Sequence, residues 1–196
     1  MDTPTTSPLA HVLEALASLV QGDPTLPAED TPLGRLTRET LRNQWEQARD
    51  GLLARTRRIR VSPQGGPAPR LFRFEIDRPY KRRRAGDGAI EAASGPVRGW
   101  IHYRADLHVA PPDEPMVMIL LDRDQGFFHP NCRDGLLCHG RLPPGPFPLE
   151  ALLEHLYGIV SYQNVNGEEP LDAEAAEYFR SHPSAFDGLL PVEPLH

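Results

Sequence analysis

The alternation of apolar and polar positions divides the chain into a helical start, a strand-rich middle and a helical end. Leu9, Val12, Leu13, Leu16, Leu19 and Val20 recur at the spacing of one helix face, and Gly22 and Pro24 close the stripe, which predicts a helix over 9–21. A Pro-rich linker runs on to Thr31. Leu41, Trp45, Ala48 and Leu52 mark a second helix over about 37–55, weakened near its end by Gly51. Four strands follow. The first is expected over 58–62 and the second over 71–77, where Phe72, Phe74 and Ile76 share one face and Arg73 and Glu75 the other. The third is expected over 99–109, with Ile101, Tyr103, Ala105, Leu107 and Val109 facing one way, and the fourth, more fully apolar, over 116–121. Residues 78–96 are charged and rich in Gly and Ala, which predicts an insertion or mobile loop. A helix over 149–161 carries Leu149, Leu152, Leu153, Leu156, Ile159 and Val160, and a last one over about 172–181 has Asp172 as its N-cap. This order indicates an α+β fold on a four-stranded antiparallel meander. Residues 1–32 form an N-terminal extension with one short helix and the linker, and residues 33–196 form one domain of ordinary size.

Composition narrows the function classes. Hydrophobic residues make up 39% of the chain, with a mean hydropathy of -0.45, which fits a water-soluble fold with a modest core. No apolar run approaches the roughly 18 residues of a membrane span, so no membrane association is expected. A net charge of -6 gives no support to nucleic-acid binding as the main activity. The clusters Arg57-Arg58-Ile59-Arg60 and Lys81-Arg82-Arg83-Arg84 read as solvated flanks. Two cysteines and no secretory leader pattern point to a reducing compartment, hence a cytoplasmic protein. Lys81 is the only lysine among 21 basic residues. An arginine-biased composition explains that, as would selection against amines in a protein that handles activated acyl groups.

The candidate chemistry lies in the loop from Phe128 to Cys138. Phe127 and Phe128 bring an apolar segment up to Pro130, Asn131 supplies a side-chain amide, and Gly135 allows a backbone reversal. Leu136 and Leu137 then re-enter the core beside Cys138. Loops held at both ends commonly carry function. Cys138 reads as a nucleophile, since the polar pair His139-Gly140 follows it, and its competing reading is a small buried hydrophobe. Asn131 could stabilise an oxyanion, pin the loop, or do both. A metal reading is also open. His129, Cys132, Cys138 and His139 offer two imidazoles and two thiolates to a tetrahedral zinc, against which stand the adjacency of Cys138 and His139 and the absence of a Cys-x-x-Cys pair. A cysteine hydrolase would need a triad that nothing marks. No glycine-rich phosphate loop is present and no cofactor is expected.

One set of residues carries a family resemblance. It consists of His129-Pro130-Asn131 followed by Gly135 and Cys138, then Glu168-Glu169-Pro170-Leu171, Glu174-Ala175-Ala176 and Tyr178, ending at Phe186, with Phe147-Pro148 between the two parts. Over about 33–186 the chain resembles the ubiquitin-conjugating enzyme family. The resemblance implies a conjugating-type core with an N-terminal helix, a long catalytic loop and C-terminal helices. It implies that Cys138 accepts a ubiquitin-like protein as a thioester from an activating enzyme and passes it to a lysine amine of a protein substrate. Asn131 and Glu169 would assist the transfer, with Glu168 as the substitute for Glu169. His129, Pro130 and Gly135 would order the loop, and Cys132 would pack. The helix from Thr37 and the loops near Phe127 and Phe147 would form the docking surface. The spacing from Asn131 to Cys138 is one residue shorter than the usual eukaryotic pattern, and both the 78–96 segment and the preceding helix are atypical. These departures resemble divergent bacterial relatives, which sit beside a ubiquitin-like protein, an activating enzyme and an isopeptidase, often in antiphage defence. A rival keeps the fold and drops the reaction, leaving an inactive binding module.

Overall fold

Thr31 sets where the first described helix begins. Its hydroxyl accepts from the Gly34 N–H at 3.0 Å, and Pro32 occupies the first turn, so helix α1 (Pro32–Asp50) starts some residues ahead of its apolar stripe. The computed structural model describes residues 27–109, 115–140, 146–166, 169–189 and 195. The helix expected over 9–21 and the side chain of Glu168 lie outside the described residues. Gly51 ends α1, and a single turn, α2 (Leu52–Arg55), follows it. A Cβ on Gly51 would stand 2.7 Å from the Gln47 carbonyl and 2.9 Å from the Glu150 carboxylate, so the residue that breaks the helix also admits a neighbour.

The next elements are β1 (Ile59–Gln64), β2 (Leu71–Asp77), β3 (Tyr80–Arg83), β4 (Ile90–Ala93), β5 (Pro96–Tyr103), β6 (Val117–Leu121), β7 (Cys132–Arg133) and β8 (Leu136–Leu137). The main sheet has six antiparallel strands in the order β1-β2-β5-β6-β8-β7. The fold is thus α+β, with two strands more than the expected four-stranded meander. The added pair is a hairpin whose two-residue turn, Asp134-Gly135, holds φ values of 52° and 84°, as the Asp-Gly hairpin turn requires. Strands of two residues carry too few positions for periodicity to register.

Register explains the core. Phe72 faces Ile101, Ile101 faces Ile119, Ile119 faces Leu137 and Leu137 faces Cys132, giving one inward row that crosses five strands. All five of these side chains are buried. Helix α3 (Leu149–Val160) covers that face, and Leu149, Leu152, Leu153, Leu156, Ile159 and Val160 are each fully buried. Each such side chain contributes about 1.5–3 kcal/mol of transfer free energy, so burial rather than helix propensity holds α3 in place. Helix α4 (Ala173–Ser181) begins at the expected cap, where the Asp172 carboxylate accepts from the Ala175 N–H at 3.0 Å. No helix among the described residues is long and apolar enough to cross a membrane.

Two expectations need correction. The 78–96 segment is an ordered hairpin, β3–β4, instead of a mobile loop. It docks on the chain just ahead of His129. The Arg83 N–H donates to Gly126 O at 2.7 Å, and the Phe128 N–H donates to Lys81 O at 2.8 Å. Main-chain bonds and the cross-strand pairs of Arg82 and Arg84 with Glu91 hold this hairpin, with little apolar alternation to betray it. The third strand stops at Tyr103 instead of reaching Val109. Asp106 starts a turn closed by the Val109 N–H at 2.8 Å, which leaves Val109 62% exposed.

Close packing in the sheet yields the first prediction. A Cβ on Gly99 would clash with the Leu120 carbonyl and lie 2.8 Å from the Phe74 ring. Gly99→Ala is expected to lose about 1–3 kcal/mol in denaturant unfolding, and an unchanged midpoint would contradict this packing.

Candidate functional site

The β7–β8 hairpin brings Asn131 and Cys138 together. The Cys138 N–H donates to Asn131 O at 2.7 Å, which extends the Cys132↔Leu137 register by one step and sets the two residues opposite each other. Residues so placed have Cβ atoms about 4.5–5.5 Å apart. Successive strand residues point to opposite faces. Cys132 therefore joins the inward row, and burial pushes its thiol up to about 12, which makes it inert packing. Cys138, turned the other way, is half-exposed, and both thiols are free.

Every polar group of Asn131 is engaged. Its N–H donates to His129 Nδ1 at 2.9 Å, Nδ2 donates to Cys138 O at 3.3 Å, and Oδ1 accepts from the Asn166 N–H at 2.9 Å. Asn166 in turn brackets Glu169, donating through Nδ2 to its carbonyl at 2.7 Å and accepting from its N–H at 3.0 Å. The Asp172 N–H donates to Pro130 O at 2.9 Å. Three residues singled out from the sequence, Asn131, Cys138 and Glu169, thus sit on two segments stitched together, with the Glu169 side chain exposed.

Beneath the loop lies an aromatic floor. His129 stacks on Phe127 at 5.6 Å and lies 4.6 Å from Tyr162, and burial drives its imidazole down to about 3, only partly opposed by the nearby Ile159 carbonyl. The ring is neutral and accepts at Nδ1. Tyr162 holds a φ of 58°, a left-handed conformation that costs a bulky residue of order 1–3 kcal/mol. What keeps it there is its hydroxyl, which accepts from the Lys81 N–H at 3.0 Å and donates to Phe128 O at 2.8 Å. That one group joins the β3–β4 hairpin, the loop and the C-terminal end of α3.

The zinc set does not assemble. His129 is sealed under the loop, Cys132 and Cys138 face apart, and His139 Nε2 is spent on the Val117 carbonyl at 3.0 Å. Among the described residues no three His, Cys, Asp or Glu side chains are placed to hold a metal ion. A groove of about 560 Å³ opens between Arg83, Phe128, Cys132, Arg133 and Glu174, and neither Asn131 nor Cys138 lines it. Cys138 itself is half-buried. Sequence reasoning missed Tyr162 and Asn166. Asn166-Gly167 was a readable turn signal, whereas nothing local marks the reach of a tyrosine hydroxyl.

Two stability measurements follow from these contacts. Tyr162→Phe removes one hydroxyl and strands the buried Phe128 carbonyl and the partly buried Lys81 N–H, so a loss of about 1–3 kcal/mol is expected in denaturant unfolding. A wild-type value would show that the bridge holds nothing. The pH dependence has a definite sign. The folded pKa of His129 lies below its unfolded value near 6.5, so the folded chain binds fewer protons. Stability is therefore intact above that value and falls as pH drops through it, by roughly 2 kcal/mol at pH 5 from His129 alone. Burial lowers His139 and His108 as well, which adds to the same trend. Carboxylates whose pKa is lowered, such as Asp122 beside Arg73, act only at more acidic pH. Unfolding free energies that stay flat from pH 7.5 to 5 would mean His129 is not held neutral. In comparisons with known proteins, no family model matches the chain, and no curated protein matches it either.

Proposed function

We propose that this chain is a conjugating enzyme of the ubiquitin type, which carries a ubiquitin-like protein as a thioester on Cys138 and passes it to a lysine amine. One observation carries the reading: a half-exposed cysteine stands directly across a hairpin from an asparagine whose own loop is braced by a buried neutral histidine. The six-stranded antiparallel sheet with α1 ahead of it and α3 across it is compatible with a conjugating-type core.

The chemistry is two acyl transfers. The Cys138 thiolate attacks the carbonyl carbon of the activating enzyme's thioester, a new C–S bond forms, and the donor's C–S bond breaks to release its thiolate. An unprotonated lysine amine then attacks the same carbon. The C–N bond forms, the Cys138 C–S bond breaks, and the surplus amine proton leaves to solvent or to a carboxylate. Asn131 uses one amide hydrogen to hold the Cys138 carbonyl. The second is the natural donor to the oxyanion of each tetrahedral intermediate, so pinning and stabilisation fall to one side chain. Glu169 is the carboxylate assigned to the incoming amine, because its segment is bonded to Asn131 through Asn166 and its side chain is exposed.

The partners are then a ubiquitin-like protein, an ATP-dependent activating enzyme and a protein substrate, in the cytoplasm, with no cofactor needed on this chain. The test is a non-reducing gel after mixing the protein with ATP and a cognate ubiquitin-like protein and activating enzyme. A thiol-sensitive adduct is expected for wild type and Cys132→Ala and is expected to vanish in Cys138→Ala. With the donor shown to be charged, absence of a wild-type adduct would convert the reading to that of a binding module without the reaction.

A further inference from the structure

Two imidazoles lie next to the backbone of Cys138, and the transfer chemistry above uses neither. His139 follows the cysteine directly. Continuing the Ile119↔Leu137 register by two residues places Val117 opposite His139, and the His139 ring bends to donate from Nε2 to the Val117 carbonyl at 3.0 Å. Its other nitrogen, Nδ1, is buried and has no hydrogen-bond partner among the described residues. The ring is placed as a brace and is ill placed as a base. His155 comes from the middle of α3 and donates from Nε2 to the carbonyl of His139 at 2.7 Å. Residue 139 is thus gripped from two directions, by β6 through its side chain and by the crossing helix through its carbonyl. On the other flank, Asn131 takes both the N–H and the C=O of Cys138.

We propose that His139 and His155 are positioning residues for acyl transfer, fixing the backbone of Cys138 so that the carbonyl carbon it carries stays beside the Asn131 amide. This rests on the conjugating reading above. The physical reason is that bond formation at a carbonyl depends on sub-ångström placement, and a shift of about 1 Å can cost up to 100-fold. A small alkylating reagent needs no such placement. The brace therefore governs transfer and leaves the bare reactivity of the thiol untouched, a split that a merely destabilised protein would not show.

The test compares wild type, His155→Ala and His155→Gln, the last restoring an N–H donor near the Nε2 position. Three quantities are read for each: charging of Cys138 with the ubiquitin-like protein, single-turnover discharge to a lysine-containing acceptor over a range of acceptor concentrations, and alkylation of the uncharged thiol by iodoacetamide. His155→Ala is expected to charge to completion but more slowly, to discharge with a maximal rate about tenfold lower at unchanged half-saturation, and to alkylate at no less than the wild-type rate. His155→Gln is expected to recover most of the discharge rate. Discharge of His155→Ala at the wild-type rate would overturn the positioning role and leave the conjugating reading standing, as would an equal deficit in the Gln variant. A fall in alkylation to match the falls in charging and discharge would reduce the brace to a general structural contact. Failure of wild type to charge from a charged donor would overturn the conjugating reading, and the positioning role with it.

Discussion

Four hydrogen bonds converge on Asn131, one from each polar group of the residue, and they tie together segments far apart in the chain. Its N–H rests on the buried His129 ring, its carbonyl and Nδ2 hold Cys138 across the hairpin, and its Oδ1 holds Asn166 beyond the end of α3. The consequence is geometric: the loop cannot shift relative to Asn166 and Asp172 without breaking bonds at a buried site, where unmet polar groups are costly. The aromatic floor below, with Phe128 and Tyr162 both packed against Phe179, gives these bonds a rigid and largely dry base.

Energy and position are supplied by different parts of the molecule. The row from Phe72 to Cys132 and the buried face of α3 provide the apolar burial that makes the chain fold. Polar groups do the placing. The Tyr162 hydroxyl and the main-chain bonds of the β3–β4 hairpin settle where the segment ahead of His129 runs. This division follows from the physics of each contact. Apolar burial is strong and without direction, whereas a buried hydrogen bond adds little net energy and fixes orientation closely.

What could be read from the sequence follows the same division. Strong periodicity located β2 to the residue, and Asp172 was recognisable as a cap because capping is a local interaction. Phe72, Phe74, Ile76 and the apolar positions of α3 were legible as core. The β3–β4 hairpin was not, since its stability comes from main-chain pairing and ion pairs that polar sequences of many kinds can make. The β7–β8 hairpin was half visible in Asp134-Gly135, but its strands are too short to show alternation. At the candidate site, the residues named from the loop motif sit together. The contacts from Tyr162, Asn166 and His155 arise between segments distant in sequence, and no local pattern encodes them.

The opposed directions of the two cysteines have a bearing on oxidative damage. An oxidant meeting this surface reaches Cys138 first, because Cys132 is buried on the core side of the hairpin. A sulfenic acid formed there is ordinarily rescued by a second thiol that condenses with it to a disulfide. Here the only other thiol of the chain faces into the core, so no internal resolving partner is within reach. Repair then falls to a small external thiol such as glutathione. Without it, oxidation runs on to the irreversible acids, and a single half-buried sulfur decides how long each molecule lasts.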